Sequence, residues 1–226
     1  MKEDYQNILS RINSDIERKS IDKTVRLIIV SKSQPISSIR ELIKSGYHIY
    51  GENYLDEAIK KIEEIDNNNL EWHFIGRIQS NKIKKIAKYF SWVQTISTEK
   101  HARLLNEECR KLDKKINICI QINIDNEESK SGINIKEADS FLKSISLYKF
   151  LSIRGIMAIP SKLNALKENE NSYNILKSEY DKLSNQYESI DTLSLGMSND
   201  FELALKKGSN MIRIGSLIFG ERILNE

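Results

Sequence analysis

Cysteine is scarce in this chain. Its 226 residues include two, Cys109 and Cys119, and their spacing makes neither a metal site nor a redox pair. Cys109 falls in a helical pattern and Cys119 in a strand pattern, so both read as structural thiols of a reducing cytoplasm. Proline is equally rare: Pro35 and Pro160 each follow an apolar run. No low-complexity block and no composition shift marks a linker. The histidines His48, His73 and His101 share no ligand spacing, which argues against zinc. No apolar run approaches the roughly 20 residues of a membrane span, and the first residues lack a signal-peptide core. Neither sign of charge prevails. The formal net charge is +3 and the signs alternate along the chain, as on solvated helix faces. Lys82, Lys84, Lys85 and Lys88 lack an aromatic stacking platform, so nucleic acid is not an expected partner. A soluble cytoplasmic protein is expected, with no membrane partner.

What is present is an alternation. Apolar residues make up 39% of the chain, enough for a sizeable core. Tyr5, Ile8, Leu9, Ile12 and Ile16 have helical spacing and predict an amphipathic helix over 3–19. Eight strand patterns follow, at 25–33, 48–53, 72–78, 92–96, 116–124, 151–159, 192–197 and 211–219, each but the last followed by a helical pattern. Thr98 reads as an N-cap and Gly46 and Gly208 as C-caps. Alternation of this kind implies a parallel sheet, and eight units are the count of a closed (β/α)8 TIM barrel. The expected layout is one domain over 1–226, with an extra N-terminal helix at 1–20 and the barrel at 25–220. An open doubly wound sheet is the competing fold, but no Gly-x-Gly-x-x-Gly follows the first strand.

A barrel gathers the carboxyl ends of its strands on one rim, where ligands bind. Lys32, Asn53, Arg77, Gln79, Asn123, Met157, Ser198, Arg213 and Gly215 fall there. Lys32 ends the buried run Leu27-Ile28-Ile29-Val30 and precedes Pro35. Partial desolvation disfavours an ammonium, and a neutral amine attacks aldehydes to form a Schiff base. A strand-end lysine can equally carry its amine into water. The stretch Leu195–Asp200 ends one strand and opens a helix with Ser198 as its predicted N-cap, a place that suits an anion. Gly215, next to Ser216, lets backbone approach a ligand closely. Ordinary capping and a turn glycine explain the same residues. Arg213 points at this rim, towards a phosphate, a ring nitrogen, or an acidic neighbour such as Glu221. His73, between Trp72 and Phe74, reads as a hydrogen-bonded core residue.

Eight ordered motifs then resemble one family. They are Val30-Ser31-Lys32-Ser33, Tyr50-Gly51-Glu52-Asn53-Tyr54, Trp72-His73-Phe74-Ile75-Gly76, Gln79-Ser80-Asn81-Lys82, Ser129-Lys130-Ser131-Gly132, Gly155-Ile156-Met157-Ala158-Ile159-Pro160, Ser194-Leu195-Gly196-Met197-Ser198 and Ile212-Arg213-Ile214-Gly215-Ser216. Together they resemble the pyridoxal phosphate homeostasis proteins, a family similar in fold to the barrel domain of alanine racemase. The resemblance implies that Lys32 holds pyridoxal 5′-phosphate through a Schiff base. It implies that Ser198, Gly215 and Ser216 bind the phosphate, that Arg213 faces the pyridine nitrogen, and that Asn53 and Met157 line the pocket. Gln34 stands where relatives often carry a second lysine, Arg77 where histidine is frequent, Asn199 for a frequent aspartate and Ser216 for a frequent threonine.

Two functions compete on that resemblance. One is a non-catalytic carrier that buffers or delivers the cofactor. The other is an amino-acid racemase, which needs acid–base groups on both faces of the reacting carbon. A Schiff-base aldolase is a more distant third. The chain runs seven residues past Phe219, so the second domain that completes the dimeric racemases is not expected. Arg213, which donates but does not accept, leaves the ring a weak electron sink, a feature that the resemblance gives to racemases as well, so the missing second base and domain weigh more. The expected reading is the carrier: a monomer whose partners are the cofactor, amino acids that displace Lys32, and cofactor-dependent apoenzymes.

Overall fold

The apolar run behind Lys32 is strand β1, Arg26–Val30, with Ile28 and Ile29 fully buried. The computed structural model describes residues 5–20, 24–127, 131–161 and 170–220. Glu221, Lys130 and the first four residues lie outside them. Each β1-like run is followed by a chain reversal through a helix, and the strands pair in sequence order. Those strands are β2 (Ile49–Glu52), β3 (Glu71–Phe74), β4 (Trp92–Ile96), β5 (Ile116–Ile122), β6 (Leu151–Ala158), β7 (Thr192–Ser194) and β8 (Met211–Ile214). All neighbours are parallel, and β8 returns to β1 through Arg26↔Met211 to Ile29↔Ile214. The barrel is closed, as the alternation predicts.

The longer connecting helices are α2 (Ile36–Lys44), α3 (Leu55–Ile65), α4 (Ile83–Tyr89), α5 (Glu99–Lys111), α6 (Ala138–Ile145) and α7 (Glu170–Gln186). The extra helix α1, Tyr5–Lys19, buries Leu9 and Ile12 against the outer shell, roughly 1.5–3 kcal/mol per side chain removed from water. Thr98 caps α5 by accepting from the His101 amide at 3.2 Å. No helix among the described residues is long and apolar enough to cross a membrane. Both cysteines are buried and unpaired.

Period-two alternation gives the sheet two unlike faces. The outer face and the helices form one continuous apolar core. Ile28, Trp92, Cys119, Met157 and Met211 form a second cluster inside the barrel. Polar side chains share that interior: His73, Gln94, Ser194 and Arg213 are all almost fully buried.

Several strand boundaries differ from the sequence reading. The eighth strand stops at Ile214, not at Phe219. Gly215 breaks it, and Ser216–Phe219 form a helical turn, α9. A β pattern of Ile-Gly-Ser-Leu-Ile-Phe is not distinguishable from a buried helical turn by apolarity alone. Strand β7 stops at Ser194 rather than Met197, because Gly196 adopts φ +93°. A Cβ there would lie 2.7 Å from Ala204 Cβ, so glycine alone fits this close turn. Only one residue pair, Ser194↔Met211, joins β7 to β8. The seam is completed by Ser209, whose Oγ accepts from the Leu195 amide at 3.2 Å, and by Asn210 Oδ1, which accepts from the Leu193 amide at 2.8 Å.

Candidate ligand site at the barrel rim

Lys32 follows β1 by two residues and lines a cleft of about 640 Å³, within the roughly 300–1,000 Å³ usual for small-molecule sites. Ser198, Arg213, Gly215 and Ser216 line the same cleft, together with Gln34, Asn199 and Asp200. The structure therefore brings together five of the seven site residues expected from sequence. Asn53 and Met157 line an adjoining cavity of about 180 Å³ instead. The two residues that follow β6 line different cavities, Ile159 the smaller and Pro160 the larger. Asn53 Oδ1 is buried with no partner among the described residues.

The loop that carries Lys32 is held by groups that sequence reading missed. Ser31 Oγ donates to Glu52 Oε1 at 2.7 Å. Lys61 Nζ donates to Ser31 O at 2.6 Å, Glu52 Oε1 at 2.7 Å and Glu57 Oε1 at 2.5 Å. The Ser33 amide donates to Glu57 Oε1 at 2.7 Å, and Ser33 itself holds the left-handed value φ 60°. A non-glycine residue there is strained, so the Glu57 contact stabilises a turn the sequence disfavours. Burial pushes the Glu52 carboxyl above its usual range, partly offset by Lys61 and by the Ser31 hydroxyl. Glu52 stands in the motif beside Asn53. Lys61 and Glu57 look like an ordinary i,i+4 pair on a solvated helix face, so no sequence signal marked them.

Ser198 is not the helix N-cap expected of it. Asp200 precedes helix α8, Phe201–Lys206, and the Asp200 carboxylate bonds backwards. Its Oδ1 accepts from the Met197 amide at 2.7 Å and its Oδ2 from the buried Tyr173 hydroxyl at 2.5 Å. Burial and Asp200 together push the Tyr173 phenol far up, so it stays a donor. Ser198 Oγ is thereby left to face the other loop, accepting from the Gly215 amide at 3.4 Å and the Leu217 amide at 3.3 Å. With α8 only six residues long, the anion-binding capacity lies in these loop amides and hydroxyls rather than in a helix dipole. A Cβ at Gly215 would stand 3.1 Å from Val30 O and 3.3 Å from Val30 Cβ. Glycine thus lets the β8 end lie close against the β1 end.

Arg213 is 3% exposed. Its Nη1 donates to Ser194 O at 2.8 Å and Ser194 Oγ at 2.5 Å, and its Nη2 to Ala158 O at 2.9 Å. A guanidinium has five N–H donors, three of which these bonds use, and the residue also lines the cleft. Burial lowers its pKa to about 10, with Asp200 acting in the opposite sense; it is a cation at neutral pH. No ion pair with a described carboxylate holds it, and Glu221 lies outside the described residues. His73 is a fully buried, hydrogen-bonded core residue, as expected. Among the described residues no group of His, Cys, Asp and Glu is arranged to hold a metal.

An amine, a buried guanidinium and a cluster of loop amides on the rim of a closed parallel barrel define a binder of a small anionic ligand. The family model for the N-terminal domain of alanine racemase matches residues 10–223. A pyridoxal phosphate homeostasis protein from Haemophilus influenzae is 42% identical over 210 residues, covering 91% of this chain and 89% of its own. One from Buchnera aphidicola subsp. Schizaphis graminum is 47% identical over 203 residues, covering 89% and 88%. Among solved structures, PipY of Synechococcus elongatus PCC7942 with pyridoxal phosphate bound superposes with a TM-score of 0.82 at 30% identity, over 94% of this chain and all of that one. The chain belongs to the pyridoxal phosphate homeostasis family, built on the alanine racemase N-terminal barrel.

Proposed function

We propose that this chain binds pyridoxal 5′-phosphate at the 640 Å³ cleft and buffers or delivers it without catalysing a reaction. The observation that carries this reading is the placement of Lys32 and Arg213 in one cleft with the loop amides of Gly215 and Leu217. The residues fit the group. Lys32 supplies the amine, Ser198, Ser216 and the loop amides meet a phosphate, and an N–H of Arg213 meets a ring nitrogen. The cofactor supplies an aldehyde carbon that accepts a primary amine and, in enzymes, an electron sink. Asn53 and Met157, from the adjoining cavity, border the ring side of the site.

The lining of the cleft supports a role without turnover. Among the described residues of the cleft the titratable side chains are Lys32, Asp200 and Arg213. Asp200 is committed to Tyr173 and the Met197 amide, and Arg213 cannot accept a proton. Racemisation needs a second acid–base group across the reacting carbon, and no described residue offers one there. Amino acids enter and exchange with the Lys32 amine, because that step needs only an amine and an open rim. Apoenzymes that use this cofactor are the recipients. The closed barrel leaves no sheet edge to pair, which supports a monomer, and two buried unpaired thiols suit a cytoplasmic setting.

Borohydride reduction of the protein mixed with pyridoxal phosphate, followed by peptide mass spectrometry, tests the assignment. The mass increment is expected on the peptide carrying Lys32 and is lost in Lys32→Ala, whose circular dichroism stays that of the folded barrel. An increment retained on another lysine would overturn Lys32. Sustained exchange of amino-acid Cα protons with deuterated water by wild type, absent in Lys32→Ala, would replace the carrier with a racemase-like enzyme.

A further inference from the structure

A file of hydrogen bonds crosses the barrel interior from the cleft to the opposite mouth. Arg213 Nη1 donates to Ser194 Oγ at 2.5 Å, and Ser194 Oγ donates to Gln94 Oε1 at 2.7 Å. Gln94 Nε2 stands 2.9 Å from His73 Nδ1, and His73 Nε2 stands 2.5 Å from Glu71 Oε1. Glu71 Oε1 also accepts from Arg26. Strands β8, β7, β4, β3 and β1 each contribute. Ser194, Gln94 and His73 are fully buried.

One assignment of protons satisfies every link. An ionised Glu71 has no proton to give, so His73 Nε2 carries one and Nδ1 is an acceptor. Gln94 then presents its NH2 to His73 and to Met211 Sδ at 3.3 Å, and its oxygen to Ser194. The Ser194 proton is used up on Gln94, so its lone pairs face Arg213. Every donor points away from the guanidinium, and Arg213 can only donate into the file.

We propose that Ser194, Gln94 and His73 are positioning residues, which fix the orientation of Arg213 and report the charge of His73 to the cleft. A second proton on His73 would occupy Nδ1. Gln94 would then turn its oxygen to His73 and its NH2 to Ser194. Ser194 Oγ would then accept from both Gln94 and Arg213, filling its two lone pairs, and its freed proton would turn out of the file, so the oxygen that anchors Arg213 would change its polarity. The charged and titratable groups around His73 come from every side of the barrel. Glu71 lies on its own strand and favours the second proton, whereas Arg26 on β1 opposes it, and burial opposes it most. Trp92 stacks on the His73 ring at 5.1 Å with 8° between planes, and the guanidinium groups of Arg26 and Arg154 lie over Trp92 at 5.1 and 5.2 Å. Asp191 neutralises Arg154, and Cys119 on β5 is held protonated by burial. The neutral ring is thus the resting form.

The test uses ¹⁵N-labelled full-length protein without added cofactor. The side-chain N–H signals of Arg213, assigned by their loss in Arg213→Lys, are expected to be resolved and slow in rotation. Gln94→Leu, which does not touch Arg213, should speed that rotation about tenfold, while Ser194→Thr, which keeps the hydroxyl and leaves Gln94 in place, should keep the slow state. In wild type, Arg213 signals should shift on acidification with the midpoint of the His73 ring signals, and should not in His73→Gln. Unchanged Arg213 rotation in Gln94→Leu, or Arg213 signals that ignore His73 titration, would overturn the proposal. The wild-type titration decides it even if Gln94→Leu fails to fold. The role of Arg213 towards a bound ring rests on the proposed function and is read separately, from pyridoxal phosphate affinity of Gln94→Leu. A mobile Arg213 with unchanged affinity would remove Arg213 from the cofactor site and leave the positioning file standing.

Discussion

Replacing Lys61 by methionine tests whether the bracket beneath Lys32 is a structural support. The Lys61 side chain is 4% exposed and that of Glu52 fully buried. All three ammonium protons of Lys61 are used, on Ser31 O, Glu52 Oε1 and Glu57 Oε1. Methionine keeps the volume but leaves the Glu52 carboxylate with only the Ser31 hydroxyl, its Oε2 being already without a partner. Removing one member of a buried pair costs about 3–5 kcal/mol, whereas the half-exposed Glu57 contact contributes little. For a chain of this size that is a fall of roughly 6–20 °C in melting temperature. The cost depends on pH with a definite sign. The stranded Glu52 carboxyl is raised in the folded variant further above its usual 4.5. Above that raised value the charged form is buried and unpaired. As pH falls towards 4.5 the folded variant takes up a proton the unfolded chain does not hold, and stability returns. Urea unfolding followed by circular dichroism should therefore show a gap between wild type and Lys61→Met that is widest at neutral pH and narrows on acidification. Adding Glu52→Gln to Lys61→Met should recover part of it. A loss below about 1 kcal/mol, which is the value of an exposed pair, or a gap independent of pH, would refute the reasoning.

Tyr173→Phe removes the hydroxyl that holds Asp200 and should cost about 1.5–3 kcal/mol, the range for a bond to a charged acceptor; calorimetry should show the loss, and phosphate-ester affinity should fall with it. Gly76→Ala puts a Cβ 2.0 Å from Asn53 O, a backbone atom that cannot yield, and should destabilise by more than about 4 kcal/mol, read as loss of soluble folded protein. Ser198→Ala combined with Ser216→Ala should weaken pyridoxal phosphate relative to unphosphorylated pyridoxal by about 1.5–3 kcal/mol per lost bond, measured by fluorescence titration. Burial holds the His73 imidazole below its usual 6.5. Its contribution to stability is therefore present above pH 6.5 and is lost as pH falls through the lowered folded value. The wild-type unfolding midpoint should drop over that window, and His73→Gln should flatten the drop.

The alternation of apolar runs and amphipathic stretches determined the closed barrel, its strand order and its leading helix. That information is local: each run states its own period, and parallel closure follows from the repeat. The sequence also determined that Lys32, Ser198, Arg213, Gly215 and Ser216 share a rim, because strand ends are countable. It did not determine which of those residues meet. Asn53 and Met157 fall into a neighbouring cavity, since the division of a barrel mouth depends on how far each loop leans inward. Ser198 looks like a cap in one dimension, but its hydroxyl answers the amides of a loop nearly twenty residues on. The run after Gly215 has one apolar pattern and two possible periods, and only closure against β1 selected a helical turn. Lys61 hides in a solvated pattern because its partners Ser31 and Glu52 come from the loop after β1 and from β2. The interior file is the extreme case: Gln94 and Ser194 are 100 residues apart. Their pairing exists only because alternate residues of β4 and β7 face the same closed interior, a coincidence of register that the tertiary fold alone decides.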